Sequence, residues 1–250
     1  MREGCSGIGA TLGSHRPPSW PRRLGGGSRC EGLGGWVGDG VVERIFGASP
    51  GAIDRYDPDT PLTAFGARVA AAYGRLAARI HAASPPRELA RALGRRPAVD
   101  VDGATALLRA YGAPPEVLAT LSGARSWLGD ATPALVVVHG DLHFHNLCLA
   151  PDGEIVGVFD VDEAGRDEAW ADLQYVHSMG PRYVEAALAS YAVESCSPVD
   201  AEAVRRRHLL AALDHLHAHP PGRPRHASVV RWVTQALRHL APKADRGGRC

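Results

Sequence analysis

The stretch His139-Gly140-Asp141-Leu142-His143-Phe144-His145-Asn146 gathers a carboxylate, three imidazoles and a carboxamide, and a second acid, Asp160, follows fourteen residues after Asn146. Between them, Leu147-Cys148-Leu149 and Glu154 to Phe159 flank Ala150-Pro151-Asp152-Gly153, and two apolar runs around a Pro-Asp-Gly turn predict a β-hairpin. Folding about Asp152-Gly153 brings together residues whose numbers sum to about 305. Asn146 then lies across from Phe159 and beside Asp160. Two hard oxygen donors at that open end suit Mg²⁺, which takes a few protein oxygens and completes its shell with water and phosphate. Asp141, five residues before Asn146, can orient or deprotonate a nucleophilic hydroxyl. An acid, four residues, an Asn, a hairpin and a second Asp is the layout of a phosphoryl-transfer site.

Other readings compete locally. His139, His143 and His145 form H-x-x-x-H-x-H, a pattern open to zinc, although the phosphotransfer frame accounts for more of the residues. Within that frame His143 and His145 face a substrate or pack in the loop. Asp162 is open to a second metal contact or a cationic substrate, and Glu163 reads as part of a solvated loop. Asp167 suits an N-cap for the helix carrying Trp170 and Leu173. His215, His217 and His219 read as surface residues at a helix end, Arg205-Arg206-Arg207 as a solvated face, and Trp127, Trp170 and Trp232 as core or interface anchors.

The elements that must position these groups are mostly helical. From Leu62 to His81 the apolar residues recur at spacings of three and four, with Thr63 as N-cap. Further helices are expected at Arg87–Leu93, Gly103–Tyr111 and Pro115–Leu128, and again over most of Asp167 to Leu240. Leu135 to Val138 is a short β-branched run, expected as a buried strand delivering the chain into His139. Val41 to Phe46 reads as a short extended piece. Twelve of the 29 glycines fall in residues 1–40, without apolar periodicity, which predicts a disordered leader; Gly34 to Gly40 belongs to it rather than to a phosphate loop.

At 250 residues and 45% apolar content the chain is long enough for a sizeable core. Twenty-eight basic against 27 acidic residues leave +1, a balance that argues against nucleic acid or an anionic membrane as partner. No apolar run approaches a membrane span, and five scattered cysteines without a C-x-x-C pair argue against a disulfide framework or thiolate zinc, so a reduced, cytoplasmic protein is expected. Lys243 is the only lysine.

His139 to Asn146, followed by Val158-Phe159-Asp160-Val161-Asp162 and by Arg166 to Leu173, resembles the aminoglycoside phosphotransferase and choline kinase family. The resemblance spans roughly residues 41–240 and is densest over 135–175. It implies an α+β, protein-kinase-like fold, mainly the helical C-terminal lobe with a catalytic loop and β-hairpin. It further implies Asp141 as catalytic base, Asn146 and Asp160 as Mg²⁺ ligands, His139 as a brace for the catalytic loop and Asp172 as an anchor beneath it. Ile80-His81 is similar to the family's Leu-His pair at the end of the first helix of that lobe. ATP and a small-molecule hydroxyl substrate, aminoglycoside-, amino-alcohol- or sugar-like, are the implied reactants. The implied organisation is a leader at 1–40, a hinge-like strand and loop at 41–60, the lobe at 61–242 and a disordered tail at 243–250. Family members carry a sheet-rich N-terminal lobe with a phosphate-gripping lysine; here only 40 glycine-rich, lysine-free residues precede the hinge-like strand, so that lobe is expected to be truncated or replaced. That departure implies an alternative, a catalytically impaired remnant or binding module.

Overall fold

The computed structural model describes residues 44–47, 57, 59–94, 100–113, 115, 118–119, 121–122 and 134–240. The leader, the C-terminal tail, Trp127 and most of the Pro115–Leu128 helix lie outside the described residues; positions 115, 118–119 and 121–122 of that helix are helical. The architecture is α+β: long helices enclosing two small antiparallel sheets.

Helix α1 (Ala64–His81) begins where Thr63 Oγ1 accepts the Gly66 N–H at 2.9 Å, the expected cap. The same hydroxyl lies within hydrogen-bond reach of the carbonyls of Arg44 (2.8 Å) and Ile45 (2.9 Å). The expected extended piece is therefore corrected: residues 44–46 are helical. The Arg44 and Ile45 carbonyls are satisfied by the α1 cap instead of a ladder, while Ile45 and Phe46 bury against the core.

Short helices α2 (Arg87–Ala92) and α3 (Val101–Ala110) follow, the latter capped by Asp100, whose Oδ1 accepts from Gly103 N at 2.9 Å. Strand β1 (Val136–Val138) leads into the loop that carries Asp141, and β2 (Leu147–Leu149) and β3 (Ile155–Val158) form the hairpin. Its register pairs Leu147 with Val158 and Cys148 with Gly157, as the sequence dictates, with an irregularity before Leu149. Strand β4 (Gly165–Asp167) pairs antiparallel with β1. Three residues of Gly-Arg-Asp carry no strand pattern, and the sequence starts a helical region at the last of them, Asp167. The ladder to β1 decides otherwise.

The remaining elements are α4 (Trp170–Leu173), α5 (Pro181–Ser195), α6 (Ala201–Ala218) and α7 (His226–Leu240). Helices α1 and α5 pack so closely at Gly74 that a β-carbon there would lie 2.1 Å from the Ala187 carbonyl oxygen. Around this crossing sits one apolar core, with Val69, Tyr73, Leu142, Leu147, Leu149, Leu173 and Tyr183 all buried. A second, built from α3, α6 and α7, holds Leu108, Leu209, Leu213 and Val233. The loop that carries Asp141 and the hairpin belong to the first.

Candidate active site

Asp172 at the start of α4 is 0% exposed, and every part of its carboxylate is occupied. Oδ1 accepts Gly140 N–H at 2.7 Å; Oδ2 accepts His139 N–H at 2.9 Å and lies 3.1 Å from His81 Nε2. His81 Nδ1 is in turn 2.9 Å from the Tyr191 hydroxyl. The Tyr73 hydroxyl reaches the carbonyls of Leu142 and, at 2.6 Å, Asp172. Burial first and the Asp172 charge second push the Tyr73 pKa well up, so this phenol stays a donor. Backbone on both sides of Asp141 is thus tied to a buried polar floor.

His139 spans the loop and the hairpin. Its Nδ1 accepts the Asp141 N–H at 3.3 Å, which places the ring proton on Nε2, donating to the Phe159 carbonyl at 2.9 Å. Both ring nitrogens are therefore engaged, and no cluster of three or more His, Cys, Asp or Glu able to hold a metal occurs among the described residues. The zinc reading is set aside on these grounds.

Gly140, at φ +88°, lies against the turn that follows Asp160: a β-carbon there would sit 2.2 Å from the Glu163 carbonyl oxygen. Only glycine admits both the conformation and the approach. Asp160 itself adopts a left-handed conformation (φ 57°, ψ 59°), tolerated by Asp, and is exposed ahead of the 3₁₀ turn Val161–Glu163. Phe159 N–H donates to the Asn146 carbonyl at 2.8 Å, so the hairpin's open end sets Asp160 next to the Asn146 pair. Asp162 and Glu163 are exposed on the same turn.

Asn146 is buried, and its Nδ2 donates to the Asp141 carbonyl (2.9 Å) and carboxylate (3.0 Å). The planar amide then aims Oδ1 away from Asp141. An oriented carboxamide oxygen and an exposed carboxylate fit a hard divalent cation that keeps most of its ligands as water and phosphate.

His143 Nε2 stands 3.3 Å from Asp141 Oδ2, with both side chains 27% exposed. Its Nδ1 accepts His145 N–H at 3.2 Å, so the nitrogen that donates to the carboxylate is Nε2. Burial raises the Asp141 pKa, but the hydrogen bond and charge of His143, with hydrogen bonds from Tyr175 and Asn146, outweigh it and hold the carboxyl at about 2. His145 is exposed and stacks at 4.6 Å on Phe144.

Several neighbours carry no sequence signal. Tyr175, beyond α4, meets the His143 ring edge-on at 5.5 Å and lies 6.1 Å from Trp232 of α7, which is 5.0 Å from His215 of α6. His215 is thus half-buried against Trp232 rather than a surface residue, and Trp232 is the anchor expected, its Nε1–H donating to His208 Nε2 at 3.1 Å. Asp167 does not cap α4, whose N-cap is Ala169 without a side-chain bond. It sits in β4 and pairs with Arg207, which also reaches Glu168 at 3.1 Å. Arg207 is only 14% exposed, so the three arginines are not one solvated face; Arg205 and Arg206 pair with Glu202. Cys148 is buried in β2.

The chain matches the model of the phosphotransferase enzyme family over residues 19–208 and belongs to that family. A macrolide 2'-phosphotransferase type I superposes with a TM-score of 0.50 at 20% identity, covering 76% of this chain and 65% of that one. A macrolide 2'-phosphotransferase from Brachybacterium faecium gives 0.44 at 20% identity, with 76% and 66% covered. The AMP-bound spectinomycin phosphotransferase gives 0.51 at 11% identity, with 71% and 67% covered. At these identities the likeness is one of fold, kinase-like and α+β, and the chain spans about two thirds of the length of these relatives. A comparison with curated proteins returned no match. No helix among the described residues is long and apolar enough to cross a membrane.

Proposed function

We propose that the chain transfers the γ-phosphoryl group of ATP to a hydroxyl of a small molecule. The observation that carries this reading is the Asp141 carboxylate, fixed by Asn146 Nδ2 at 3.0 Å, beside a hairpin whose open end carries Asn146 and Asp160. Asp141 is the group that faces the acceptor. Held ionised, it accepts the hydroxyl hydrogen bond and aims the oxygen lone pair at phosphorus. The new O–P bond forms as the bond to the ADP bridging oxygen breaks, and the hydroxyl proton passes to Asp141 late in a loose transition state, then to solvent. A carboxylate of low basicity serves orientation first and proton removal second.

Asn146 Oδ1 and the Asp160 carboxylate would hold Mg²⁺, which when bound neutralises charge on the nucleotide phosphates. Asp162 is the candidate for a further metal or substrate contact, and His143 and His145 for substrate contacts. His139 and Asp172 act through backbone, fixing the loop that carries Asp141. Family membership, the metal-suited oxygens and the layout support ATP and Mg²⁺ as reactants.

A second reading, a binding module impaired in catalysis, is favoured by Lys243 being the only lysine in the chain. Calorimetric titration of MgATP into the full chain, with Asp160→Ala as control, separates the two. Binding that disappears in Asp160→Ala, with phosphoryl transfer abolished in Asp141→Asn, is expected. A folded chain that binds no ATP at millimolar concentration overturns the phosphotransferase reading.

A further inference from the structure

The closed end of the hairpin, Pro151 to Glu154, is reached by arginines from outside it. The turn's own bonds are Gly153 N–H to the Ala150 carbonyl at 3.0 Å, Ala150 N–H to the Glu154 carbonyl at 2.8 Å and Glu154 N–H to Asp152 Oδ1 at 3.1 Å. They use neither the Pro151 nor the Asp152 carbonyl. Arg44 Nη2 donates to the first at 3.2 Å and Arg68 Nε to the second at 2.5 Å. One residue further on, Arg75 Nη2 meets both Glu154 carboxylate oxygens, at 2.7 and 3.0 Å.

The arginines are themselves held. Arg68 and Arg75 lie seven residues apart, two turns along one face of α1. The Arg44 guanidinium sits 4.3 Å from the centre of the Phe65 ring in the first turn of that helix, and its backbone carbonyl accepts from Thr63. The turn lies directly on the same surface: a β-carbon at Gly153 would be 3.3 Å from Arg68 Cβ and 3.4 Å from the Phe65 carbonyl oxygen.

These contacts do little for the fold, because Pro151, Asp152 and Glu154 are exposed and exposed ion pairs are worth little. What they fix is one end of a short ribbon. A two-stranded hairpin orders poorly by itself, and this one has three- and four-residue strands with a register irregularity at Cys148/Leu149, between the turn and the open end. At that open end Phe159 N–H closes on the Asn146 carbonyl at 2.8 Å, and Asp160 follows. A displacement of about 1 Å in a reacting group costs on the order of 10²-fold, so slack in the ribbon would be felt at the ligand oxygens.

We propose that Arg44, Arg68 and Arg75 are positioning residues: they clamp the closed end of the hairpin to α1 and, through its two strands, set where Asn146 and Asp160 stand. The proposal rests on the reading of Asn146 and Asp160 as the metal-holding pair. It adds to that site three residues that touch neither metal nor substrate.

Two measurements on the full chain test it. Amide hydrogen exchange without ligand reads Phe159 N–H at the open end, and electron paramagnetic resonance of free Mn²⁺ at saturating ATP reads the ligand pair. In the double variant Arg44→Ala/Arg68→Ala, Phe159 is expected to exchange about tenfold faster and the Mn²⁺ Kd to weaken about fivefold, with little change in the urea midpoint. Arg79→Ala removes another exposed ion pair of α1, the one to Glu194 of α5, and leaves both readouts native. Arg68→Lys, which keeps one N–H donor for the Asp152 carbonyl, retains most of the protection. Should the double variant melt early, Arg75→Gln gives about threefold in the same two readouts. Phe159 exchange unaltered by loss of the clamp, equal acceleration in Arg79→Ala, or an unaltered Mn²⁺ Kd each overturn the proposal. A native chain that shows the exchange coupling yet binds no Mn²⁺ with ATP fails the phosphotransfer reading and keeps the clamp.

Discussion

Beneath Asp141 the loop rests on groups that are buried and paired, with Asp172 0% exposed and accepting from His139, Gly140 and His81. Beside it, His143, Tyr175, Trp232 and His215 are partly exposed and meet mainly ring to ring. A buried carboxylate is stable only where each lone pair has a donor, so the floor admits few alternatives. Ring contacts are individually small and tolerant of replacement. The floor therefore fixes where the reacting group stands, and the ring series beside it tolerates change. Floor variants should lose stability and activity together, whereas variants in the ring series should leave the protein folded.

The largest expected loss is Asp172→Ala, which leaves two buried N–H groups and His81 without their acceptor. A destabilisation of about 3–5 kcal/mol is expected, read as a lower urea midpoint, with phosphoryl transfer lost even where the variant is folded. Asp172→Asn, which keeps one accepting oxygen, should fall between it and the native chain. Gly74→Ala attacks the helix crossing under the floor. With the added carbon 2.1 Å from the Ala187 oxygen, α1 and α5 must separate, at about 2–3 kcal/mol, measured by the same titration. Tyr73→Phe removes one hydroxyl from two carbonyls and is expected to cost about 1–1.5 kcal/mol. If Tyr73→Phe lowers turnover while leaving the midpoint unchanged, the floor is tuning Asp141 rather than holding the fold.

The parts of the site that lie close in sequence were legible, because local geometry decides them. The Pro-Asp-Gly turn set the hairpin register, and the register set Asn146 beside Asp160; Thr63 announced the start of α1. What stayed hidden depends on contacts between distant residues. Gly165–Asp167 becomes a strand only because β1 offers it a ladder. Residues 44–46 are helical where the Arg44 and Ile45 carbonyls meet the Thr63 hydroxyl, a contact no local pattern announces. Arg207 reads as solvated until Asp167 and Glu168 are seen across from it. Tyr73, Tyr175, His215 and Trp232 have no spacing relation to Asp141, so only the packing of α1, α6 and α7 on the loop brings them there. His81, noted beside Ile80, carried a signal that pointed to its partner Asp172 only through the fold.

The smallest expected effect bears on whether His215 packs against Trp232. Burial against Trp232 lowers its pKa from 6.5, the charges of Asp214 and Asp141 oppose the shift, and those of His219 and His143 add to it. A ring with a depressed pKa binds fewer protons folded than unfolded, so stability rises with pH across the interval between the two values. Its contribution is complete above the unfolded value of 6.5 and is lost as pH falls through the folded one. His215→Phe keeps a ring at the position and removes the titration. Relative to that variant the native chain should therefore lose stability between about pH 7.5 and about pH 5, measured as the difference in urea midpoint at each pH. An equal difference at both would place the imidazole in solvent and detach it from Trp232. The series of rings would then end at Trp232.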